Sequence, residues 1–183
     1  FITHTDLSKG FDGETCGLTF RDRYSNWVSA LGLHSKEAKT ARAAMVQLLG
    51  QDLLKYVYTD GSSELKACFE QMFVPHDHSV PGDPRTNARA ERSNRHVLEG
   101  ARSILEHAGV PTPLWTYALP YFCLLCNVRS WKGKPSAWYR RFGEEFYGKL
   151  IPFGAKVYFT PSDVNPRKAI KFEGRGIPGI FLG

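Results

Sequence analysis

Three short segments rich in aromatic and β-branched residues open the chain, ahead of any segment with helical periodicity. They cover residues 1–7, 15–20 and 26–33, and runs of this composition between turn residues are typical of β-strands. Three consecutive strands with short connections pair most simply as an antiparallel meander. One side of the core is therefore expected to be a sheet rather than a helix bundle.

Helical periodicity begins after these strands. Apolar residues recur three, four and seven positions apart over residues 36–49, and Ser35 is expected to be the N-cap of this helix. A short apolar run over residues 53–59 predicts a fourth strand that ends at Asp60. A second helix is expected over residues 63–72.

Two longer helices are predicted in the second half of the chain. Residues 75–86 form a loop rich in Pro and Gly, with a fifth short strand at its start. Asn87 is expected to cap a helix over residues 88–108, and another helix covers residues 113–128. Because strand and helix alternate from the fourth strand onward, part of the sheet should be parallel. The expected fold class is α/β, with a mixed five-stranded sheet flanked by helices.

Basic residues are concentrated toward the C-terminus. Residues 129–175 hold 11 of the 24 Lys and Arg residues but 4 of the 18 Asp and Glu residues, so the charge excess lies there. Such a segment is typical of a nucleic-acid-binding surface, and on charge alone a solvated basic face is equally expected. The aromatic residues between these charges suit either stacking on DNA or core packing. They are Trp131, Trp138, Tyr139 and Phe142.

Composition argues against membrane, disulfide-rich and zinc-binding classes. No apolar run approaches the ~20 residues that a membrane-spanning helix needs. The four cysteines are scattered and are expected to be buried, reduced thiols. A zinc site made of Cys123, Cys126, His76 and His78 is disfavoured, because the two pairs lie 45 residues apart and the cysteines belong to an apolar helical face.

Three acidic residues fall where a metal site on a sheet would need them. Asp6 lies within the first strand, Asp60 ends the fourth, and Glu91 lies in the first turn of the long helix. A charge inside an apolar strand is costly unless it is paired or bound to metal. Carboxylates at the ends of parallel strands stand where α/β sheets place ligands. Mg²⁺ prefers such hard oxygen ligands, and two ions ~4 Å apart suit phosphodiester chemistry.

Each of these positions also has an ordinary structural explanation, which spacing alone favours. Asp60 before a glycine is a common turn residue, and Glu91 near a helix start favours the helix dipole. Asp22 is the main alternative to Asp6, although its turn context favours a structural role. Glu64 is expected either to support Asp60 or simply to occupy the first turn of a helix.

The local sequences resemble those of copia-type retrotransposon integrases. Residues 58–65, Tyr-Thr-Asp-Gly-Ser-Ser-Glu-Leu, resemble the family's Asp-Asn-Gly-x-Glu-Phe motif. Residues 84–95, Pro-Arg-Thr-Asn-Ala-Arg-Ala-Glu-Arg-Ser-Asn-Arg, resemble its Pro-x-x-Asn-Gly-x-x-Glu-Arg-x-Asn-Arg motif. Further matches follow the family's order: an early turn, a helix after the core, and two pieces of a small SH3-like β module. These lie at residues 20–25, 114–127, 152–158 and 179–183.

The resemblance implies a ribonuclease-H-like fold for the core and an SH3-like unit after it. On this basis residues 1–128 form an integrase catalytic core, residues 129–150 a basic connector, and residues 151–183 a partial SH3-like β module. The family also has a zinc-binding N-terminal domain, which this sequence does not include. The chain is therefore expected to be a piece of a polyprotein or a degraded copy.

The resemblance also implies an activity. Two Asp and one Glu bind divalent metal in the family, and they map onto Asp6, Asp60 and Glu91 as the catalytic and metal-binding residues, with Mg²⁺ or Mn²⁺ as two ions. The implied reaction is 3′-end processing of element DNA followed by strand transfer. The interval from Asp60 to Glu91 is shorter than in the family, and Ala88 replaces a glycine. The shortening is expected in the loop around residues 73–84.

DNA is the implied partner, as element ends and as target, with a homo-oligomer acting in the nucleus and no membrane contact. The alternative is a non-catalytic DNA-binding or interaction module from a decayed element, which would keep the basic surface without turning over substrate. A ribonuclease-H-type nuclease shares the triad but is disfavoured by the Glu-Arg helix and the β module. The residues expected to contact DNA are Arg85, Asn87, Arg89, Arg92, Arg95, Lys132, Lys134, Arg140 and Arg141.

Overall fold

A computed structural model describes residues 1–80, 84–160 and 176–183 of the chain, without the side chains of Pro84, Thr86 and Asn87. Five strands form the main sheet, as expected. They are β1 (Ile2–Asp6), β2 (Cys16–Arg21), β3 (Val28–Leu33), β4 (Val57–Thr59) and β5 (His76–His78).

Helices cover both faces of this sheet, and a smaller sheet follows them. The helices are α1 (Ala38–Leu49), α2 (Ser63–Gln71), α3 (Pro84–Ala108), α4 (Trp115–Val128) and α5 (Ala137–Phe142). The smaller sheet pairs β6 (Lys156–Phe159) with β7 (Ile177–Ile180) in antiparallel fashion. Among the described residues, no helix is both long and apolar enough to cross a membrane.

The main sheet is mixed, and β1 stands at its centre. The strand order is β3-β2-β1-β4-β5. The first three strands pair antiparallel as a meander, whereas β4 runs parallel to β1 and β5 runs parallel to β4. Because Thr59 pairs with Ile2, the residue that follows β4 comes to lie against the middle of β1.

The two faces of β1 are chemically different, because side chains alternate along a strand. One face packs against α1 and α2, in a core that contains Ile2, Leu18, Met45, Leu65 and Phe69. The other face lies under α3 and α4, in a core that contains Val28, Val97, Ala101, Trp115 and Leu119. Since Ile2, His4 and Asp6 alternate with Thr3 and Thr5, the predicted catalytic Asp6 belongs to the α1–α2 side.

A polar seam fixes α3 on its face of the sheet. The hydroxyls of Thr3 and Thr19 share a hydrogen bond of 2.6 Å. Asn94 of α3 donates to the Thr5 hydroxyl at 2.7 Å and accepts from the Thr19 hydroxyl at 3.3 Å. Because buried polar groups are costly without partners, this seam defines one lateral position for α3.

Asn127 forms hydrogen bonds with backbone groups of the edge strand β3. Its side-chain amide accepts from the Val28 N–H at 2.8 Å and donates to the Val28 carbonyl at 2.7 Å. β3 is an edge strand of this sheet, so these backbone groups have no strand partner on that side within the described part of the chain. The last turn of α4 therefore replaces a neighbouring strand at this point.

Two predicted helix caps are wrong, and one short helix was not predicted. α1 begins at Ala38 after Glu37, while the Ser35 hydroxyl bonds to Thr40 instead. α3 begins at Pro84, so Asn87 lies inside the helix rather than capping it. Proline suits a first helical turn because its fixed φ and missing N–H cost nothing there. The unpredicted α5 is capped by Ser136, whose hydroxyl accepts from the Tyr139 N–H.

Replacing Asn127 with alanine is expected to destabilise the fold by about 2–4 kcal/mol, since two buried backbone groups of Val28 would lose their partners. The measurement is the urea-unfolding midpoint. Gln47→Ala is the matched control, because it removes an exposed amide from α1 and should change stability by less than ~0.5 kcal/mol. Equal losses in the two variants would show that the edge contact contributes nothing.

Candidate active site

Asp6 ends β1 with its carboxylate in contact with a cation. The Lys36 ammonium, in the segment before α1, donates to Asp6 Oδ2 at 2.7 Å. This hydrogen bond is the main cause of a raised pKa for Lys36, and the charge of Asp60 acts in the same direction. The Asp6 side chain is itself 85% exposed. The end of β1 is thus a solvent-accessible position where a positive charge already lies against a carboxylate.

Asp60 directly follows β4 and is held against β1 from two sides. Its Oδ1 accepts from the Ser62 N–H at 3.2 Å, and its Oδ2 accepts from the His4 N–H at 3.4 Å. Its backbone carbonyl accepts from the Ser79 hydroxyl at 2.8 Å. The next residue, Gly61, has a φ of 87°, which a residue with a side chain adopts only at a cost. The turn therefore aims the Asp60 carboxylate at β1.

His4 shares a face of β1 with Asp6, and its backbone N–H donates to Asp60. Both of its ring nitrogens are buried and have no hydrogen-bond partner among the described residues. Burial lowers the pKa of His4, with the charge of Asp60 opposing this and that of Lys36 adding to it. His4 was not among the candidate site residues from the sequence. The side-chain alternation that places Asp6 on this face also places His4 there. This alternation is the sequence signal that could have identified His4.

Glu64 borders the same site from the first turn of α2. Its charge raises the pKa of His4, and its own pKa is lowered by a hydrogen bond to its backbone N–H and another from the Ser63 hydroxyl. The cap of α2 is Ser62, whose hydroxyl accepts from Leu65. Glu64 therefore occupies a first helical turn and also lies within electrostatic range of the site, so the two expectations for it are compatible.

Glu91 lies on α3, on the other side of the sheet from His4 and Asp6. Its side chain is exposed and follows the buried Ala90. Within the part of the chain that the structure describes, no three or more His, Cys, Asp or Glu side chains are close enough to hold a metal ion. Asp6 and Asp60 both act on the pKa values of His4 and Lys36, and convergence of the full triad stays a prediction.

Glu91 lies on the same helix as the residue that anchors α3 to β1. Asn94, three residues further along the helix, donates to the Thr5 hydroxyl, and Thr5 directly precedes Asp6. Three residues of α-helix span ~4.5 Å. Glu91 therefore lies about one helical turn from the contact that anchors α3 to Thr5 of β1.

The alternatives to these residues have structural roles. The Asp22 carboxylate accepts from the Ser25 N–H at 2.7 Å and from the Ser25 hydroxyl. Burial would raise the pKa of Asp22, but these hydrogen bonds together lower it. Cys123 is buried, which raises its pKa, and Cys126 contacts His96 at 3.7 Å rather than another cysteine. Asp22 thus stabilises the β2–β3 turn, and the two cysteines belong to the α3–α4 packing.

The arginines predicted to contact DNA on α3 are exposed, namely Arg85, Arg89, Arg92 and Arg95. Arg89 and Arg92 line one cavity together, and Arg95 is not part of its lining. Arg95 follows Glu91 by four residues, so these two share a side of the helix. The remaining candidate on this helix, Asn87, has its side chain outside the described residues.

The basic connector has a packed part and an exposed part. Arg141 pairs with Asp52 and lies 4.5 Å from the centre of the Trp27 ring. Trp138 also packs against Trp27, at a ring separation of 5.9 Å. Lys134 and Arg140 instead line an open cavity together with Trp131, and Lys132 is exposed. Core packing therefore accounts for Trp138 and Arg141, while Trp131 and its basic neighbours face solvent.

The residues at Asp6 and Asp60 fit a divalent cation. Both provide hard carboxylate oxygens from adjacent parallel strands, and a lysine ammonium already takes the place of a cation at Asp6. Mg²⁺ commonly binds through one or two carboxylates and completes its shell with waters and substrate phosphates. Two carboxylates are therefore enough protein ligands to bind one such ion, and Glu91 would be a further ligand.

Comparisons with known proteins identify relatives. No protein-family model matches the sequence. The chain is 30% identical over 122 residues (60% of the chain) to the retrovirus-related Pol polyprotein from transposon TNT 1-94 of Nicotiana tabacum. It is 30% identical over 146 residues (76%) to that from transposon RE2 of Arabidopsis thaliana. It is 34% identical over 107 residues (57%) to the truncated transposon Ty1-A Gag-Pol polyprotein of Saccharomyces cerevisiae.

The matched segments are short parts of these relatives, covering 8%, 10% and 9% of their respective lengths. Among solved structures, the catalytic core domain of BIV integrase matches with a TM-score of 0.54 at 12% sequence identity. The match covers 76% of this chain and 91% of that domain. At this identity the likeness concerns the fold, and it confirms the ribonuclease-H-like α/β class expected from the sequence.

Mn²⁺ is expected to raise the thermal unfolding midpoint of the chain, because a ligand that binds the folded state alone stabilises it. Lys36→Ala should show this rise at lower Mn²⁺ concentration than the wild type, since the competing ammonium is gone. Asp60→Asn should show almost none. Lys39→Ala is the control, because it removes an exposed α1 lysine. An identical Mn²⁺ response in wild type and Asp60→Asn would contradict the site.

Proposed function

We propose that this chain, which is homologous to part of retrotransposon Pol polyproteins and has the fold of an integrase catalytic core, processes and joins DNA ends by metal-dependent phosphodiester chemistry. The substrates are the 3′ ends of element DNA and a target duplex. First, hydrolysis trims the element end. The freed 3′-hydroxyl then attacks a target phosphodiester, so that one P–O bond forms as another breaks.

The observation that carries the proposal is the pairing of β4 beside β1. It places Asp60 against the strand that ends in Asp6, with a cation already in contact with Asp6. Sheets of this class bind ligands at the carboxyl ends of their parallel strands, which is where Asp60 lies. Asp6 and Asp60 would hold Mg²⁺ or Mn²⁺, as two ions, and Glu91 would be the third carboxylate.

The bound ions would neutralise charge on the phosphodiester and acidify the attacking water or hydroxyl. The chain's own groups would hold the metal-binding carboxylate and orient the substrate phosphate. The N–H groups of His4 and Ser62 fix the two oxygens of Asp60. The Lys36 ammonium, released from Asp6, would remain close enough to pair with a phosphate. Such positioning and charge stabilisation are the main contributions that an enzyme makes to this reaction.

DNA would lie along α3 and the exposed part of the connector. The arginines of α3 are exposed beside Glu91, and arginine holds phosphate through two parallel hydrogen bonds. Insertion of both ends of an element requires two active sites, so a homo-oligomer is part of the proposal. The reaction would take place in the nucleus, where the target DNA is.

A second candidate function is a non-catalytic DNA-binding module from a decayed element. One observation favours it: among the described residues, Glu91 does not join Asp6 and Asp60 within metal-binding distance. A chain of this kind would keep its basic surface and its fold, and it would bind DNA without joining it.

The test is a strand-transfer assay with Mg²⁺ or Mn²⁺ and duplex DNA carrying the element's terminal sequence. The wild-type chain is expected to form joined products, and Asp60→Asn is expected to lose at least about 100-fold of this activity, since a metal ligand contributes several kcal/mol to such a transition state. Asp77→Asn, which changes an exposed aspartate of β5, should keep full activity.

The outcomes separate the two candidates. Joined products that depend on Asp60 support the enzyme. DNA binding without joined product, unchanged by Asp60→Asn, contradicts the enzyme and supports the non-catalytic module.

A further inference from the structure

The end of the sheet away from Asp6 carries a strongly basic cavity of about 490 Å³. Four arginines line it: Arg21 is the last residue of β2, Arg23 lies in the turn that follows, and Arg89 and Arg92 lie on α3. Asp22, Asn26 and His96 complete the polar part of the lining. Two of these arginines are among the predicted DNA contacts, whereas Arg21 and Arg23 were not candidates from the sequence.

This cavity is separate from the carboxylate site. Asp6 pairs with Cys16 at the start of β2, whereas Arg21 is the last residue of that strand. Five residues of strand span about 17 Å. Arg21 also belongs to the opposite face of the sheet from Asp6, because side chains alternate and Arg21 follows the Thr19 face. A ligand in this cavity therefore does not occupy the metal site.

The positive charges of the four arginines in the cavity are not neutralised by ion pairs within the described part of the chain. None of Arg21, Arg23, Arg89 and Arg92 forms an ion pair with another described residue. The Nε atom of Arg21 is buried and has no hydrogen-bond partner among the described residues. Asp22 is the one acidic residue in the lining, and one of its oxygens serves the Ser25 turn. Like charges held together in this way favour binding of an anion.

A second cavity of about 640 Å³ continues the first, and the two share Arg21, Asn26 and His96. Its lining adds Arg129, Lys134 and Arg140 as further cations, together with Trp131. The joined cavities therefore form a groove with basic residues along its length, which is longer than a single small anion requires.

Trp131 gives the groove an exposed aromatic surface. Trp131 is 58% exposed, and the Arg129 guanidinium lies 5.0 Å from its ring centre. A bridge between Trp131 and Lys134 closes the turn that carries it, with Lys132 at a φ of 49°. An aromatic ring beside cations is the combination that binds unpaired nucleotides, with the base stacked and the phosphates held.

We propose that the two cavities form one binding groove for single-stranded DNA. Arg21, Arg23, Arg89 and Arg92 hold successive phosphates, and Trp131 stacks on an unpaired base. The inference rests on the proposed function in taking DNA as the polyanion, and it adds a site at the end of the sheet remote from Asp6. An acidic polypeptide would match the charges but would leave the Trp131 ring unused.

The test measures binding of a fluorescently labelled oligo(dT) to the full chain by anisotropy at several salt concentrations. Arg23→Glu/Arg129→Glu changes one exposed arginine in each cavity and is expected to weaken binding at least tenfold. It should also reduce the slope of log K against log salt by about 1.4, since each single-strand phosphate contributes about 0.7. Lys39→Glu/Arg42→Glu, with the same charge change on exposed residues of α1, is the control and should keep the wild-type slope.

Substitutions of Trp131 test the stacking contact separately from the arginine contacts. Trp131→Ala is expected to weaken oligo(dT) binding about tenfold, and Trp131→Phe should recover most of it, because a smaller ring still stacks. Circular dichroism confirms the fold of each variant. Since Trp131 is exposed, the pair remains informative even if the double arginine variant unfolds.

Several results would overturn the groove. One is wild-type affinity in both the arginine and the Trp131 variants, and another is an absence of oligo(dT) binding by the wild-type chain. Displacement of oligo(dT) by polyglutamate as effective as displacement by unlabelled oligo(dT) would identify an acidic polypeptide as the ligand instead. Asp60→Asn separates this inference from the proposed function. It should bind oligo(dT) normally whether or not the wild type joins DNA.

Discussion

The parallel pairing of β4 with β1 is the contact on which the rest of the site depends. It is short, with Thr59 opposite Ile2, yet it determines where Asp60 lies. A hydrogen bond from the backbone of His4 then holds one Asp60 oxygen against the middle of β1. Without this pairing, Asp6 would be an exposed strand end beside a lysine, and Asp60 would be an ordinary turn residue.

Separate polar contacts position the two other elements that the proposed function uses, which are α3 and the basic connector after α4. The Asn94 seam to Thr5 and Thr19 sets the position of α3, and with it Glu91 and the arginines. The Asn127 contact with Val28 sets the end of α4, from which the basic connector begins. One helix thus carries both Glu91 and the two arginines, Arg89 and Arg92, that line the basic cavity.

Much of the fold could be predicted from the sequence, because strand composition and helical periodicity are local. The order and type of the main elements follow from them, and so does the mixed sheet. The starts of α1 and α3 could not, since Ser35 and Asn87 are favourable cap residues whose use depends on packing. α5 was missed because it is only six residues long and lies in a segment broken by Gly and Pro.

The candidate site was predicted only in part, because its contacts join distant residues. Asp6 and Asp60 could be chosen from strand ends and family motifs, but the Lys36 contact with Asp6 spans 30 residues and has no sequence signal. The grouping of Arg21 with Arg89 likewise depends on how α3 lies on β2. Position along a strand could have identified His4, since it shares a face with Asp6.

The central proposal is that Asp6, Asp60 and Glu91 form one metal site. Crystals of the chain soaked with Mn²⁺ test it most directly, because anomalous scattering locates the ions independently of activity. Two peaks about 3.5–4 Å apart are expected, bounded by Asp6 and Asp60, with the Glu91 carboxylate in contact with one of them. Peaks held by Glu64 in place of Glu91, or no peak at Asp60, would contradict it.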